Sequence, residues 1–404
     1  MKAKSIKGKS TEEIKGALEE AMADARPPAR SDHSGGDDPV GRGYKPTLAI
    51  VFISIKQDRN AIAELLHKNG IDILGATSCG EFINGHQSEG ETVIMLLDLS
   101  KENYFILFEQ IGERSISDAA AQLASNALQK FKNPSLIVCS TGMTTKGEYF
   151  DGASMVKSIE NTIGPDKIFF GGMAGDDGTF TGSYIFTYGK ETDFGIAAIV
   201  LDGDKISLQG MAITGWKRMG IARTVTKSTG STIYTIDDIP AADMYFKYLG
   251  KEDKKTDRAF NLTDELGFSY PFITEREPGG ETILITPRSI DYNDNALLVD
   301  MPTKEGTKLW FSMPPEFDIV EEIIDEANQL KNTNQQDADA LLIFSCAGRQ
   351  PVLGPLTTAE NEGLQEVWKT PMAGFFTYGE IGRAKKGKQE FHSGACCWVA
   401  LKEK

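Results

Sequence analysis

Apolar runs and helical patterns alternate along this chain in an order that repeats. Residues 48–53, LAIVFI, form a continuous apolar run and read as a strand buried on both faces. Residues 60–68 follow with helical spacing at Ile62, Leu65 and Leu66, and Gly70 stands where that helix should stop. Residues 71–74 are apolar again, 75–82 read as a turn, and 92–97 as the next strand. The order returns with a strand at 136–140, a helix at 153–163 before Gly164, an apolar segment at 168–170, a turn at 171–176 and a strand at 195–201. It returns once more with a strand at 341–345, a helix ending near Trp368, a turn at 374–381 and a strand at 395–401. Thr357 and Glu360 suggest a capping box at the start of that last helix.

A strand–helix–strand crossover favours parallel neighbours, and the strands that follow at hairpin distance add antiparallel ones. The expected fold is therefore α/β (α+β), two domains with mixed β-sheets flanked by helices. Ser10 and Glu13 mark the start of a further helix reaching about residue 24, and the Pro- and Gly-containing stretch at 26–45 reads as a mobile loop. Between the second and third units the pattern changes. A short helix at 240–249 and a charged linker at 251–258 precede strands at 270–274, 282–286, 296–300 and 308–312. An amphipathic helix at 317–330 leads into the third unit. This places a boundary near 230–255 and divides the chain into 1–43, 44–235 and 236–404.

Net charge narrows the function. The formal charge of −15 argues against a phosphate-backbone partner, so nucleic acid is not expected. No run approaches the roughly 18 apolar residues of a membrane span, and the basic N-terminus lacks the apolar core of a secretory signal. The five cysteines form no CxxC pair and are odd in number, which fits reduced thiols and a cytoplasmic location. The 41 glycines exceed the average of about 7% without a short period. They must occupy particular backbone positions.

The strand ends hold the candidate chemistry. Glu81, Asp176 and Glu380 each follow a glycine at the end of an apolar segment. Ligands bind at strand ends in open α/β sheets, and glycine there lets backbone N–H groups approach an anion. The competing reading is that each carboxylate caps its own turn. Arg349 follows another strand end and could hold a ligand carboxylate, or pair with a glutamate of the next turn. Cys79 and Cys346 lie beside glycines at strand ends, where a thiolate could be activated or a small apolar side chain could simply be buried. Of four histidines, His86 and His392 are the candidates if a haem iron is to be ligated.

The segments Gly75–Glu81, Phe170–Asp176, Ser345–Arg349 and Gly374–Ile381, in that order, resemble the signature segments of the FIST domain family, with its N-terminal and C-terminal parts. The resemblance covers roughly residues 44 to 402. Glu81 matches the acid of the N-terminal motif, Arg349 and Glu380 the C-terminal motifs. His392 resembles a His-containing segment near the family's end, with Ser393 where Asn is expected. The resemblance implies a bacterial, sensory, ligand-binding module. Its stand-alone NosP-like branch implies haem b, a response to nitric oxide and a partner histidine kinase. The resulting expectation is a cytoplasmic sensor of a small ligand, amino-acid-like or haem, built around Cys79, Gly80, Glu81, Gly172, Gly175, Asp176, Cys346, Arg349, Tyr378 and Glu380. A homodimer is compatible with it. The reading from another class is an enzyme that acts on a small metabolite through strand-end carboxylates or Cys346.

Overall fold

The computed structural model describes residues 1–23, 43–275, 282–334, 336–385 and 387–404. The expected mobile loop falls, but for its last few residues, outside the described residues. Three copies of one unit form the body, at residues 2–98, 104–202 and 206–403. Each runs through an outer strand, a helix, an inner strand, a second helix, a parallel strand, a β-hairpin and a closing strand. The parallel pairs are Leu48–Ile53 with Asp72–Thr77, Pro134–Ser140 with Phe169–Met173, and Ala340–Cys346 with Met372–Thr377. Closing strands Thr92–Asp98, Gly195–Asp202 and Cys396–Glu403 lie antiparallel on the other side of the inner strand. Beyond them lie outer strands Lys2–Gly8, Tyr104–Gln110 and Ile206–Ile213. The N-terminal stretch, which sequence marks only as basic, is thus a sheet edge.

The hairpins do not stay with their own sheets. The hairpin of Glu81–Ile83 and His86–Ser88 adds to the third copy's sheet. That of Ile185–Thr187 and Lys190–Thr192 adds to the first copy's sheet, and that of Glu380–Arg383 and Gln389–His392 to the second's. The exchange is cyclic, so all three sheets are tied together by backbone hydrogen bonds. At each crossing a glycine opposes an apolar residue: Gly75 and Phe186, Gly171 and Ile381, Gly374 and Phe82. A Cβ on Gly75 would lie 2.3 Å from Phe186 Cζ, and one on Gly374 2.2 Å from the Ile343 carbonyl oxygen. The recurring glycine of the sequence pattern is a requirement of this close approach.

Alternation along the strands separates two faces. Inward residues such as Phe52, Ile137, Phe170, Phe344 and Phe375 share one central core among the three sheets. Outward Ala49, Val51 and Ile53 pack instead on Ile14 and Leu18 of helix Thr11–Ala23 and on Ile62 and Leu66 of helix Arg59–Lys68. These helices begin where side chains cap them. Ser10 accepts the Glu13 N–H at 3.2 Å, and Asp58 accepts the Ala61 N–H at 3.0 Å. The third copy's second helix, Leu356–Trp368, starts differently from the expected capping box: Thr357 Oγ1 donates to the Gly354 carbonyl, and Glu360 faces Arg349.

A strand-rich segment interrupts the third copy between Ile206–Ile213 and helix Ile319–Asn334. It contains Lys217–Thr229, Thr232–Ile236, Phe272–Glu275, Thr282–Ile285, Pro287–Asp291, Ala296–Val299 and Lys308–Met313. Helix Ala241–Tyr248 covers this fourth sheet. Its aromatic core of Tyr245, Phe246, Phe272 and Phe311 is continuous with the core under helices Ile116–Lys130 and Gly152–Ile163. The interruption therefore packs onto the repeated body and reaches its strand ends.

Candidate ligand-binding site

The motif G-x-x-[ST]-x-G-E, shared by Gly75–Glu81 and Gly374–Glu380, resolves first into structure. Glu81 shares a hydrogen bond with Ser78 Oγ and accepts the Glu91 N–H at 3.1 Å. Glu380 shares one of 2.5 Å with Thr377 Oγ1 and accepts the Ala395 N–H at 2.9 Å. In both copies the carboxyl group joins the end of the parallel strand to the residue just before the closing strand. It clamps the base of the exchanged hairpin. Burial pushes both carboxyls up to about 8, so the neutral acid is the favoured form at pH 7. The geometry suits that form, because a protonated Glu380 can donate to Thr377 Oγ1 while Thr377 donates to the Ser345 carbonyl at 3.3 Å.

The second copy breaks this pattern. Ala174 stands in the Ser/Thr place, and the acid is the shorter Asp176. Its carboxylate accepts N–H groups of Phe180 at 3.1 Å, Thr181 at 2.6 Å and Gly182 at 3.0 Å, and the Tyr378 hydroxyl. It thus shapes the loop after strand Phe169–Met173. Asp177 and Phe180 in that loop hold left-handed backbones, with φ of 56° and 53°. Non-glycine residues rarely adopt this conformation, and such strain clusters at functional sites.

A cavity of about 430 Å³ opens beside this loop, where the strand ends of all three copies meet. Its walls include Cys79 and Gly80 of the first copy, Asp177, Gly178 and Phe180 of the second, and Ala347, Gln350, Pro351 and Tyr378 of the third. Phe268, from the inserted segment, contributes a further wall. Phe180 and Tyr378 stack with ring centroids 5.2 Å apart and planes 3° from parallel. At the mouth Lys56 pairs with Asp177 at 3.2 Å, and Ser54 Oγ donates to the same carboxylate at 2.7 Å. Aromatic walls with a few fixed polar groups are what small organic ligands require.

The expected site residues divide accordingly. Cys79, Gly80 and Tyr378 line the cavity, and Asp176 holds Tyr378. A Cβ on Gly175 would lie 2.4 Å from Cys79 Sγ, so this glycine admits the cysteine. Cys346 leads directly into Ala347. Glu81 and Glu380 are hairpin clamps, and Gly172 pairs with Glu380 across the sheet crossing. Arg349 is fully buried. It pairs with Glu360 and donates to the Thr214 and Gly394 carbonyls at 2.8 and 2.7 Å, so its guanidinium serves the fold. Burial pushes the Cys79 thiol up to about 12 and the Cys346 thiol higher, which works against a thiolate nucleophile. His86 is exposed on its hairpin, His392 is buried in the interior, and neither lines the cavity. These two histidines do not fit an axial haem ligand there. Phe180, Phe268 and Gln350 carried no sequence signal beyond residue type. Asp177 was visible only as the second acid of Gly175-Asp-Asp-Gly178.

The fold is a mixed α/β module with a cavity at its strand ends, not a barrel or a helical bundle. Residues 47–239 match the FIST N domain and residues 241–383 the FIST C domain. The chain belongs to the FIST family, whose domains bind small ligands in signal transduction. A comparison with the curated proteins finds no match. No helix among the described residues is long and apolar enough to cross a membrane.

Proposed function

We propose that the chain is a sensor that takes one small, polar organic ligand into the strand-end cavity and signals its presence to a separate protein. The observation that carries this reading is the strained Asp177–Phe180 segment, held by Asp176 against Tyr378 of another copy. A ligand inserted between Phe180, Tyr378 and Phe268 would touch two copies and the inserted segment at once. Its binding energy would therefore bias how these parts pack, which is what a switching module needs. An amino-acid-like molecule suits a cavity with aromatic walls and charges of both signs at its mouth. The family resemblance supports a histidine kinase as the class of partner. Catalysis is not part of this reading, because the buried thiols and the clamp carboxyls are committed to the fold.

The test is mass spectrometry of small molecules retained by the purified native chain. One compound retained stoichiometrically by the native chain and lost from Phe180→Ala supports the cavity. Equal retention by both chains contradicts it.

A further inference from the structure

The arginine expected from sequence to meet a ligand anion, Arg349, is committed to Glu360. A second arginine does not itself line the cavity but packs on one of its walls, with no carboxylate at ion-pair distance among the described residues. Arg288 lies on strand Pro287–Asp291 of the inserted segment. Its guanidinium carbon sits 5.4 Å from the centre of the Phe268 ring, which lines the cavity, and 5.3 Å from that of Tyr149. Thr263 Oγ1 donates to the Arg288 carbonyl at 2.6 Å, fixing the turn that carries Phe268 onto this strand. The guanidinium forms no ion pair among the described residues, and its buried Nε has no hydrogen-bond partner there. Asp300 is an opposing charge that interacts with it. Burial raises its carboxyl, and one of its oxygens accepts the Thr286 N–H at 2.9 Å. Two rings hold the planar cation in place while its donors meet no carboxylate among the described residues at ion-pair distance, an arrangement prepared for a planar or tetrahedral anion.

We propose that Arg288 is the anion-holding residue of the site, and that the ligand carries a carboxylate or phosphate next to a group seated among Phe180, Tyr378 and Phe268. This rests on the cavity reading above and adds the ligand's charge. The anion would lie against the inserted segment while the remainder touched the repeated body, so one molecule would bridge the two.

The test titrates the full chain with benzoate, phenyl phosphate and benzyl alcohol, following binding by calorimetry. The native chain is expected to bind at least one anion more tightly than the alcohol, and the preferred anion separates carboxylate from phosphate. Arg288→Gln should weaken that anion about 10- to 100-fold, the range for a lost charged hydrogen bond, and leave the alcohol unchanged. Arg288→Lys, which keeps the charge without the planar fork, should fall between, and guards against a folding defect in the Gln variant. Equal binding of anions and alcohol, unaltered in both Arg288 variants but lost in Phe180→Ala, would overturn the role of Arg288 and leave the cavity standing. Binding of none of the three probes, or binding insensitive to Phe180→Ala, would overturn both.

Discussion

Tyr378 of the third copy donates its hydroxyl to Asp176 of the second. This bond joins the stacked wall of the cavity to the carboxylate that shapes the strained loop beside it. Burial and the neighbouring acid and thiol hold the phenol far above its ordinary range, so it acts as a donor at every accessible pH. Tyr378→Phe should cost about 1–3 kcal/mol, the usual loss when a buried charged acceptor loses its donor. Hydrogen exchange should show the loss concentrated in amides 177–183, with the central strands unchanged. Uniform loosening of the whole chain would argue against a local role.

The two clamp glutamates predict a pH dependence with a definite sign. Their folded carboxyls titrate near 8, against 4.5 for an unperturbed glutamate. Between these values the folded state holds protons that the unfolded state has released, so stability falls as pH rises. The contribution is full below about pH 4.5 and lost as pH passes 8, at about 1.4 kcal/mol per pH unit for each group. Glu81→Gln with Glu380→Gln should flatten this fall, since an amide can donate to Ser78 or Thr377 and still accept the opposing N–H. Denaturant midpoints from pH 5 to 9 check it. An undiminished slope in the double variant would mean that other groups set the dependence.

Gly374 and Gly70 make a paired test of why the glycines recur. A Cβ on Gly374 would strike the Ile343 carbonyl oxygen at 2.2 Å and Phe82 at 2.9 Å. Gly70 has φ of 75°, and nothing lies within 4 Å of where its Cβ would stand. Gly374→Ala should cost more than about 3 kcal/mol, through displacement of the parallel inner strand at Ile343 and of Phe82 from the exchanged hairpin. Gly70→Ala should cost only about 1–2 kcal/mol of left-handed strain. Urea unfolding distinguishes the two, and equal costs would remove close approach at the strand crossing as the explanation.

The repeated unit was legible in the sequence because its inner strands are buried on both faces and read as unbroken apolar runs. The full length of the unit was not. Outer strand Lys2–Gly8 is mostly polar and lies at a sheet edge, and its partners lie in Thr92–Asp98, far along the chain. The hairpin exchange left only an indirect trace, the glycines opposite Phe82, Phe186 and Ile381. The acids showed the same limit. Repetition drew attention to Glu81 and Glu380, yet repetition marks what the fold needs in more than one copy. The departure from it, Ala174-Gly175-Asp176 in the second copy, marks the cavity. Arg349 could not be told from Arg288 by residue type, because the difference lies in Glu360, which meets the first from the next helix, Leu356–Trp368.

Removing the Arg349 side chain should unfold the third copy's strand ends. Arg349→Ala leaves Glu360 buried without its cation, and breaking such a pair costs about 3–5 kcal/mol. Arg349→Met with Glu360→Leu should recover most of this, because it removes both charges and keeps the packing. Thermal unfolding of the three proteins checks the order. A single variant as stable as the native chain would free Arg349 for a role in binding.

The central claim is that ligand binds where the strand ends of the three copies meet. A crystal structure of the native chain with its co-purifying molecule tests this most directly. The account predicts ligand density between the Phe180–Tyr378 stack and Phe268, with an anionic group turned toward Arg288. Density at any other place on the chain, with this cavity holding only water, would contradict it.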